Sequence, residues 1–133
     1  MPAVNTSDNL ETVTLRCLIV DDNASFLEEA SALLRREGLE VVGTASSIDD
    51  ALERAHELEP DVALVDISLG EESGFDLARR LAESASHPPR VVLVSTHSET
   101  ELAELIDDAP VAGFVPKVQL SAGALLALLA AAD

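Results

Sequence analysis

Five polar side chains of this 133-residue chain come directly after short apolar runs of the sequence. The run "LIVDDN" supplies Asp21 and Asp22, "ALVDIS" supplies Asp66, "VLVSTH" supplies Ser95 and "FVPKV" supplies Lys117. Three carboxylates held within about 5 Å of one another repel by several kcal/mol, and a bound divalent cation relieves that repulsion. Oxygen ligands that leave room for water and a phosphate favour Mg²⁺ over Zn²⁺, and the set offers no cysteine or histidine.

The hydroxyl and the ammonium of this set extend the chemistry beyond a metal site. Ser95 provides a hydrogen-bond donor and Lys117 provides a cation, and both suit the oxygens of a tetrahedral anion. A carboxylate beside a bound phosphoryl group can attack phosphorus, and aspartyl phosphate is a known product of such attack. The residue types therefore indicate phosphoryl chemistry around a metal ion.

The apolar runs predict the strands that position these side chains. Five runs rich in β-branched residues alternate with segments of helical period. The predicted strands are Cys17–Val20, Val41–Ala45, Val62–Val65, Val91–Val94 and Gly113–Val115. Strict alternation of apolar strands and helices predicts an α/β fold, a doubly wound five-stranded parallel sheet covered by helices on both faces. Ligands of such sheets bind outside the carboxyl ends of the strands, where the five polar residues would lie.

Four helices are predicted between the strands, and a fifth is predicted to begin near Ser121. Asp22 or Asn23 can cap the first helix, and Ser47 can cap the second. The third and fourth have apolar faces that end before proline-containing segments. In the last helix Leu126 lies off the apolar face, and a helix apolar on more than one side usually has a second neighbour.

Length and charge limit the classes of protein to consider. The chain suffices for one domain, with residues 1–14 predicted as a disordered tail and 15–133 as the domain. A formal charge of −17 disfavours direct nucleic acid binding. The lone Cys17 suits a reducing compartment, and no signal or membrane-spanning segment is apparent. We therefore expect a cytoplasmic protein without membrane attachment.

Together the motifs resemble the receiver domain of response regulators in two-component signalling. The agreement in order, residue type and spacing extends from Arg16 to Ala131. The resemblance implies a flavodoxin-like fold with strand order 2-1-3-4-5. It also implies that Asp66 is the phosphoacceptor and that Mg²⁺ is held by Asp21, Asp22, Asp66 and the carbonyl of Ser68. Gly74, eight residues after Asp66, matches the loop glycine of the family.

The same resemblance assigns the remaining site residues. Ser95, with Thr96 beside it, and Lys117 would bind the phosphoryl oxygens. Ser95 and Phe114 would switch position after phosphorylation. His97 and Ser68 occupy positions where dephosphorylation could be tuned. For His97, an exposed loop residue without such a role is the alternative.

Four positions depart from the common pattern of the family. Gly70 and Val118 stand where proline is usual, and Thr96 stands where a smaller residue is common. A cis bond before Val118 would be costly, so the direction of Lys117 is uncertain from sequence. Phe114 lacks the hydroxyl of the more frequent tyrosine, so a switch there would act by packing alone.

The resemblance implies a signalling switch that accepts a phosphoryl group from phosphohistidine on a histidine kinase or phosphotransfer protein. It would not be an enzyme, although slow self-dephosphorylation is compatible with the family. A homodimer through the fourth helix, fifth strand and fifth helix is an expected partner mode, as is a C-terminal DNA-binding output domain in a longer protein. The alternative is a pseudo-receiver that acts as a constitutive interaction module without phosphorylation. A phosphohydrolase is disfavoured because "VDDNAS" lacks a D-x-D motif.

Overall fold

A computed structural model describes residues 14–84, 87–96 and 106–132 of the chain. Its main sheet has five parallel strands in the order β2-β1-β3-β4-β5. The strands are β1 (Arg16–Val20), β2 (Glu40–Ala45), β3 (Val62–Asp66), β4 (Arg90–Ser95) and β5 (Gly113–Pro116). The fold class and the strand order predicted from sequence are thereby confirmed, and each strand is one or two residues longer than predicted.

Helices occupy the connections between these strands. They are α1 (Ala24–Arg36), α2 (Ile48–Leu58), α3 (Gly74–Ser84), α4 (residues 106–108) and α5 (Ala122–Ala132). The α1 helix begins at a cap in which Asn23 Oδ1 accepts a hydrogen bond from Phe26 N at 3.1 Å. Ser47 Oγ caps α2 by accepting from Asp50 N at 3.2 Å, as predicted. Of the two candidate caps for α1, Asn23 therefore performs that role.

The central strands β1, β3 and β4 are apolar between their terminal residues because both faces of the sheet are covered there. Cys17 and Ile19 of β1 belong to the cluster on the face of α1 and α5, whereas Leu18 and Val20 pack against α2 and α3. Successive side chains of a strand point to opposite faces, so a strand buried on both sides has no polar alternation. The two buried clusters fix the sheet, and with it the positions at which the strands end.

A short antiparallel hairpin after β3 was not predicted from sequence. Ser68–Leu69 pairs with Glu72–Ser73, and Gly70 in the turn has φ +66°. Glycine at the first turn position with positive φ is typical of two-residue hairpin turns. Glu72 Oε1 accepts a hydrogen bond from Ile48 N at 2.9 Å, which ties the hairpin to the start of α2. Two-residue strands are too short to produce a periodic signal in the sequence.

Several expectations fall outside the described residues. They concern the predicted tail, of which only Thr14 is described, His97, and the part of the predicted fourth helix before Ile106. Within the described parts of the chain, no helix has the length and apolar character needed to cross a membrane.

Candidate functional site

The carboxyl edge of the sheet brings together residues that are far apart in the sequence. Asp21 directly follows β1, Asp66 ends β3, Ser95 ends β4 and Lys117 directly follows β5. Asp21, Asp66 and Ser95 are buried, with exposed fractions of 0%, 6% and 2%. The edge is thus a buried polar site in a sheet that is otherwise apolar.

Three carboxylates form the centre of this site. One oxygen from each of Asp21, Asp22 and Asp66 lies within 4.8 Å of the others. Asp22 is exposed, so the cluster opens to solvent on its side. The buried Oδ2 of Asp21 lies 2.7 Å from Lys117 Nζ, and no other donor contacts it among the described residues. Three converging carboxylates beside a single cation fit a site for Mg²⁺.

Lys117 lies opposite the carboxylates and contacts two of them. Its Nζ is 2.7 Å from Asp21 Oδ2 and 3.4 Å from Asp66 Oδ2. The same nitrogen lies over the ring of Phe26, 4.4 Å from the ring centroid. The described chain contains no cis peptide bond, so the bond between Lys117 and Val118 is trans. The lysine therefore reaches Asp66 without the proline that usually follows it in the family.

Burial and charge together shift the protonation of the site. Burial, and secondly the charge of Asp21, raise the pKa of Asp66 from 3.8 to about 6, against the opposing effects of Lys117 and the Ser68 N–H. For Lys117, burial acts to lower the pKa, but the short contact with Asp21 and the charges of both aspartates outweigh it, so the pKa is raised. The lysine is therefore a cation at neutral pH, while Asp66 retains a higher proton affinity than an ordinary aspartate.

The loop after β3 is built closely around Asp66. Ser68 N donates a hydrogen bond to Asp66 Oδ1 at 3.3 Å. Gly74 N donates to Ile67 O at 2.8 Å, and a Cβ on Gly74 would overlap the carbonyl oxygen of Asp66. The matching glycine eight residues after Asp66 thus has a steric reason, since only glycine allows this approach.

The other residues named from the sequence pattern differ in their exposure. Thr96 is exposed at the end of β4, and Val118 is 93% exposed after Lys117. Phe114 is buried in the cluster on the α2 and α3 face, with 8% of its surface exposed. Its part in a switch stays a prediction, because the structure holds a single, inward position. His97 lies outside the described residues.

Two contacts at the site were missed from sequence. Phe26 packs against the apolar cluster on the α1 and α5 face, and its ring also faces the Lys117 ammonium. Glu72, in the unpredicted hairpin, caps α2. Neither had a local signal, since each contact joins segments distant in the sequence. For Phe26 the single hint was its place in the first turn after the acidic pair.

Comparison with known proteins identifies a family and several relatives that are longer than this chain. The family described as "Response regulator receiver domain" matches residues 17–130. A protein-glutamate methylesterase/protein-glutamine glutaminase from Myxococcus xanthus is 43% identical over 67% of this chain and 26% of its own length. The sensory transduction protein LytT from Bacillus subtilis is 34% identical over 71% of this chain and 39% of its own length. The chain thus spans well under half of either relative.

Two further matches cover larger shares of both chains and support the same family. The transcriptional regulatory protein PdtaR from Mycobacterium tuberculosis is 30% identical over 84% of this chain and 54% of its own length. The solved signal receiver domain of the putative response regulator NarL from the same species superimposes with a TM-score of 0.76. That match has 30% identity and covers 90% of this chain and 96% of that domain. The chain belongs to the response regulator receiver domain family.

Proposed function

We propose that this receiver domain is a phosphorylation switch in which Asp66 accepts a phosphoryl group from phosphohistidine on a histidine kinase or phosphotransfer protein. The observation that carries the proposal is the placement of Asp66 between two groups of opposite charge. One of its carboxylate oxygens lies within 4.8 Å of an oxygen of Asp21 and of Asp22. Its Oδ2 lies 3.4 Å from Lys117 Nζ. A nucleophilic carboxylate needs such a setting when its attack brings more negative charge into the site.

The metal of this proposal is Mg²⁺, held by Asp21, Asp22, Asp66 and the backbone carbonyl of Ser68. The close approach of three carboxylates, with a single lysine beside them to offset their charge, supports the fit. When bound, Mg²⁺ offsets negative charge on the carboxylates and on the transferring phosphoryl oxygens. Asp22 is the exposed member of the cluster, which leaves the side facing solvent open to the incoming donor.

In the transfer itself, a carboxylate oxygen of Asp66 forms a bond to phosphorus as the bond between phosphorus and the histidine nitrogen breaks. The imidazole leaves with that electron pair and regains a proton from solvent. Lys117 stabilises the phosphoryl oxygens through its ammonium, and the hydroxyls of Ser95 and Thr96 donate hydrogen bonds to them. Positioning and charge, with little further bond chemistry, supply the catalysis in phosphoryl transfer.

The output of the switch is a changed surface around α4, β5 and α5. Ser95 would move toward the new phosphoryl group, and Phe114 would settle in the inward position as the two packings exchange population. A homodimer through this surface, or an output domain such as a DNA-binding domain in a longer protein, would respond to the change. Leu126 on α5 is 49% exposed, which supports a partner surface there. The proposal places this signalling in the cytoplasm, and it assigns no direct nucleic acid binding to the receiver itself.

Intact-mass measurement tests the proposal directly. We expect incubation with Mg²⁺ and the small donor phosphoramidate to add one phosphoryl mass, and we expect Asp66→Asn or EDTA to abolish the addition. Slow loss of the added mass after donor removal would represent self-dephosphorylation. An unchanged mass under saturating Mg²⁺ would reject the switch and favour the constitutive interaction module.

A further inference from the structure

Lys117 is the only lysine of the chain, so a single ammonium serves the whole site. Within the part of the chain that the structure describes, three groups contact its Nζ: a carboxylate oxygen of Asp21 at 2.7 Å, one of Asp66 at 3.4 Å, and the ring of Phe26 at 4.4 Å from the centroid. The side chain is 14% exposed, so water contributes little to holding it. The position of the ammonium therefore depends on these three neighbours.

The ring of Phe26 is fixed to the same short segment that carries the acidic pair. Asn23 N donates to Asp21 Oδ1 at 2.8 Å, and Asn23 Oδ1 accepts from Phe26 N at 3.1 Å. Lys117 contacts both the ring and Asp21, so Asp21, Asn23, Phe26 and Lys117 form a closed set of contacts. Each of these contacts limits the movement of the next residue, and together they hold the lysine side chain in one geometry.

We infer that Phe26 is a positioning residue for Lys117, holding its ammonium toward Asp66 through a cation–π contact. The inference deepens the proposed function and rests on it. The negative face of an aromatic ring attracts a cation, most strongly where water is excluded. Unlike a carboxylate, the ring does so without cancelling the charge that Lys117 must offer to phosphoryl oxygens.

The ring matters most when the metal site is filled. Asp21 and Asp66 would then direct their oxygens to Mg²⁺, and the metal would repel the neighbouring ammonium. Of the three described contacts of Lys117, the ring of Phe26 is the one for which the metal does not compete. Removal of the ring should therefore free the ammonium even where both carboxylates remain.

The competing explanation is that Phe26 only fills space in the core. Its side chain also packs against the apolar cluster on the α1 and α5 face. Packing depends on size and shape, whereas the attraction of a cation depends on the electron density of the ring face. Fluorination of the ring lowers that electron density with little change in shape, so it separates the two explanations.

The first measurement follows the lysine itself by NMR, independently of phosphorylation. Isotope-labelled lysine gives one residue to observe, and its ε-methylene protons should be shifted upfield by the ring, both without metal and with Mg²⁺. We expect Phe26→Leu to remove this shift and Phe26→Tyr to retain it. Phe75→Leu is the matched control, because Phe75 packs on the opposite face of the sheet. A lysine spectrum unaffected by Phe26→Leu would overturn the inference.

The second measurement is the rate of phosphorylation by phosphoramidate at saturating Mg²⁺. Mono-, di- and trifluorophenylalanine placed at position 26 should slow the reaction stepwise, by about threefold to tenfold over the series. This range corresponds to the usual free energy of a cation–π contact. Phe26→Tyr should keep nearly the wild-type rate. Equal rates across the series would refute positioning by the ring. Failure of the wild-type protein to accept phosphate would instead refute the proposed function, so the two failures are distinguishable.

Discussion

The amino and carboxyl ends of the strands differ in how their charged groups are paired. At the amino edge, Arg16 N donates to Asp61 Oδ2 at 2.9 Å, and the Arg16 guanidinium donates to Glu59 O at 2.9 Å. Arg90 donates to Leu129 O at 2.7 Å. At the carboxyl edge, the carboxylates of Asp21, Asp22 and Asp66 converge, and Lys117 is the one cation found beside them among the described residues.

The difference indicates which edge stabilises the fold and which edge binds. At the amino edge, Arg16, Asp61 and Arg90 have partners within the chain. Converging like charges at the carboxyl edge lower stability unless a ligand compensates, and strained electrostatics of this kind cluster at functional sites. The predictions below test this contrast by altering one edge at a time.

The largest effect is expected from removal of the lysine. Lys117→Met should slow phosphorylation of Asp66 by about 10²- to 10³-fold, the usual loss when a group that stabilises transition-state charge is deleted. Binding of Mg²⁺ should become tighter, because a neighbouring positive charge is lost. Rates from intact mass at saturating Mg²⁺ and a metal titration measure the two effects. Arg16→Gln removes one positive charge from the amino edge as a control, and an equal loss of rate there would contradict the contrast.

Replacement of Asp66, the proposed phosphoacceptor, should stabilise the metal-free protein. The pKa of Asp66 is raised from 3.8 to about 6, so the folded state holds the proton more tightly than the unfolded state. The stability that comes from the protonated form is present below pH 3.8 and is lost as the pH rises to about 6. Asp66→Asn should therefore raise the free energy of unfolding at pH 7 by about 1–3 kcal/mol.

Urea unfolding in EDTA at pH 7 and pH 4 checks this expectation. The gain from Asp66→Asn should shrink toward zero at the lower pH, where the wild-type carboxyl is itself protonated. Addition of Mg²⁺ at pH 7 should stabilise the wild-type protein more than the variant. A variant less stable than wild type in EDTA at pH 7 would show that the carboxylates of this edge are already compensated.

At the amino edge, removal of an aspartate should lower the free energy of unfolding instead of raising it. Asp61→Ala removes the acceptor of the Arg16 backbone N–H, a contact that joins residues 45 positions apart. We expect a loss of about 1 kcal/mol in the free energy of unfolding, typical of one hydrogen bond. The stabilisation by Mg²⁺ should be the same as in wild type. Urea unfolding with and without Mg²⁺ measures both, and a changed metal effect would mean that the edges are coupled.

The sheet could be predicted from sequence because a strand that is buried on both faces needs an uninterrupted run of apolar residues. Val62–Asp66 is buried at every position, so its apolar run stands out from its surroundings. The residues after the strands followed from the topology, since parallel strands deliver their carboxyl ends to one edge. Asp21, Asp66 and Lys117 meet there for this reason, and their roles as ligand, phosphoacceptor and cation remain proposals.

Contacts that depend on side-chain direction could not be predicted in this way. The approach of Phe26 to Lys117 depends on the angle at which α1 leaves β1, which an apolar period does not encode. The hairpin at Ser68–Leu69 depends on a left-handed Gly70 and on pairing between two-residue segments. The sequence shows Gly70 where proline is usual in the family, but it indicates neither the antiparallel pairing nor the Glu72 contact with α2.

The smallest effect is expected at Cys17, in the strand that joins the two edges. Burial, and secondly the charge of Asp61, raise the pKa of this thiol to about 12, and its surface is fully buried. The thiolate is the reactive form, so native protein at pH 8 should react with a thiol reagent only as fast as it unfolds. Because burial is the main cause, Asp61→Ala should change this labelling rate only through its effect on stability. Fast labelling of native wild-type protein would mean that β1 opens locally without unfolding of the whole domain. The contacts at the amino edge would then not stabilise the strand that leads to Asp21.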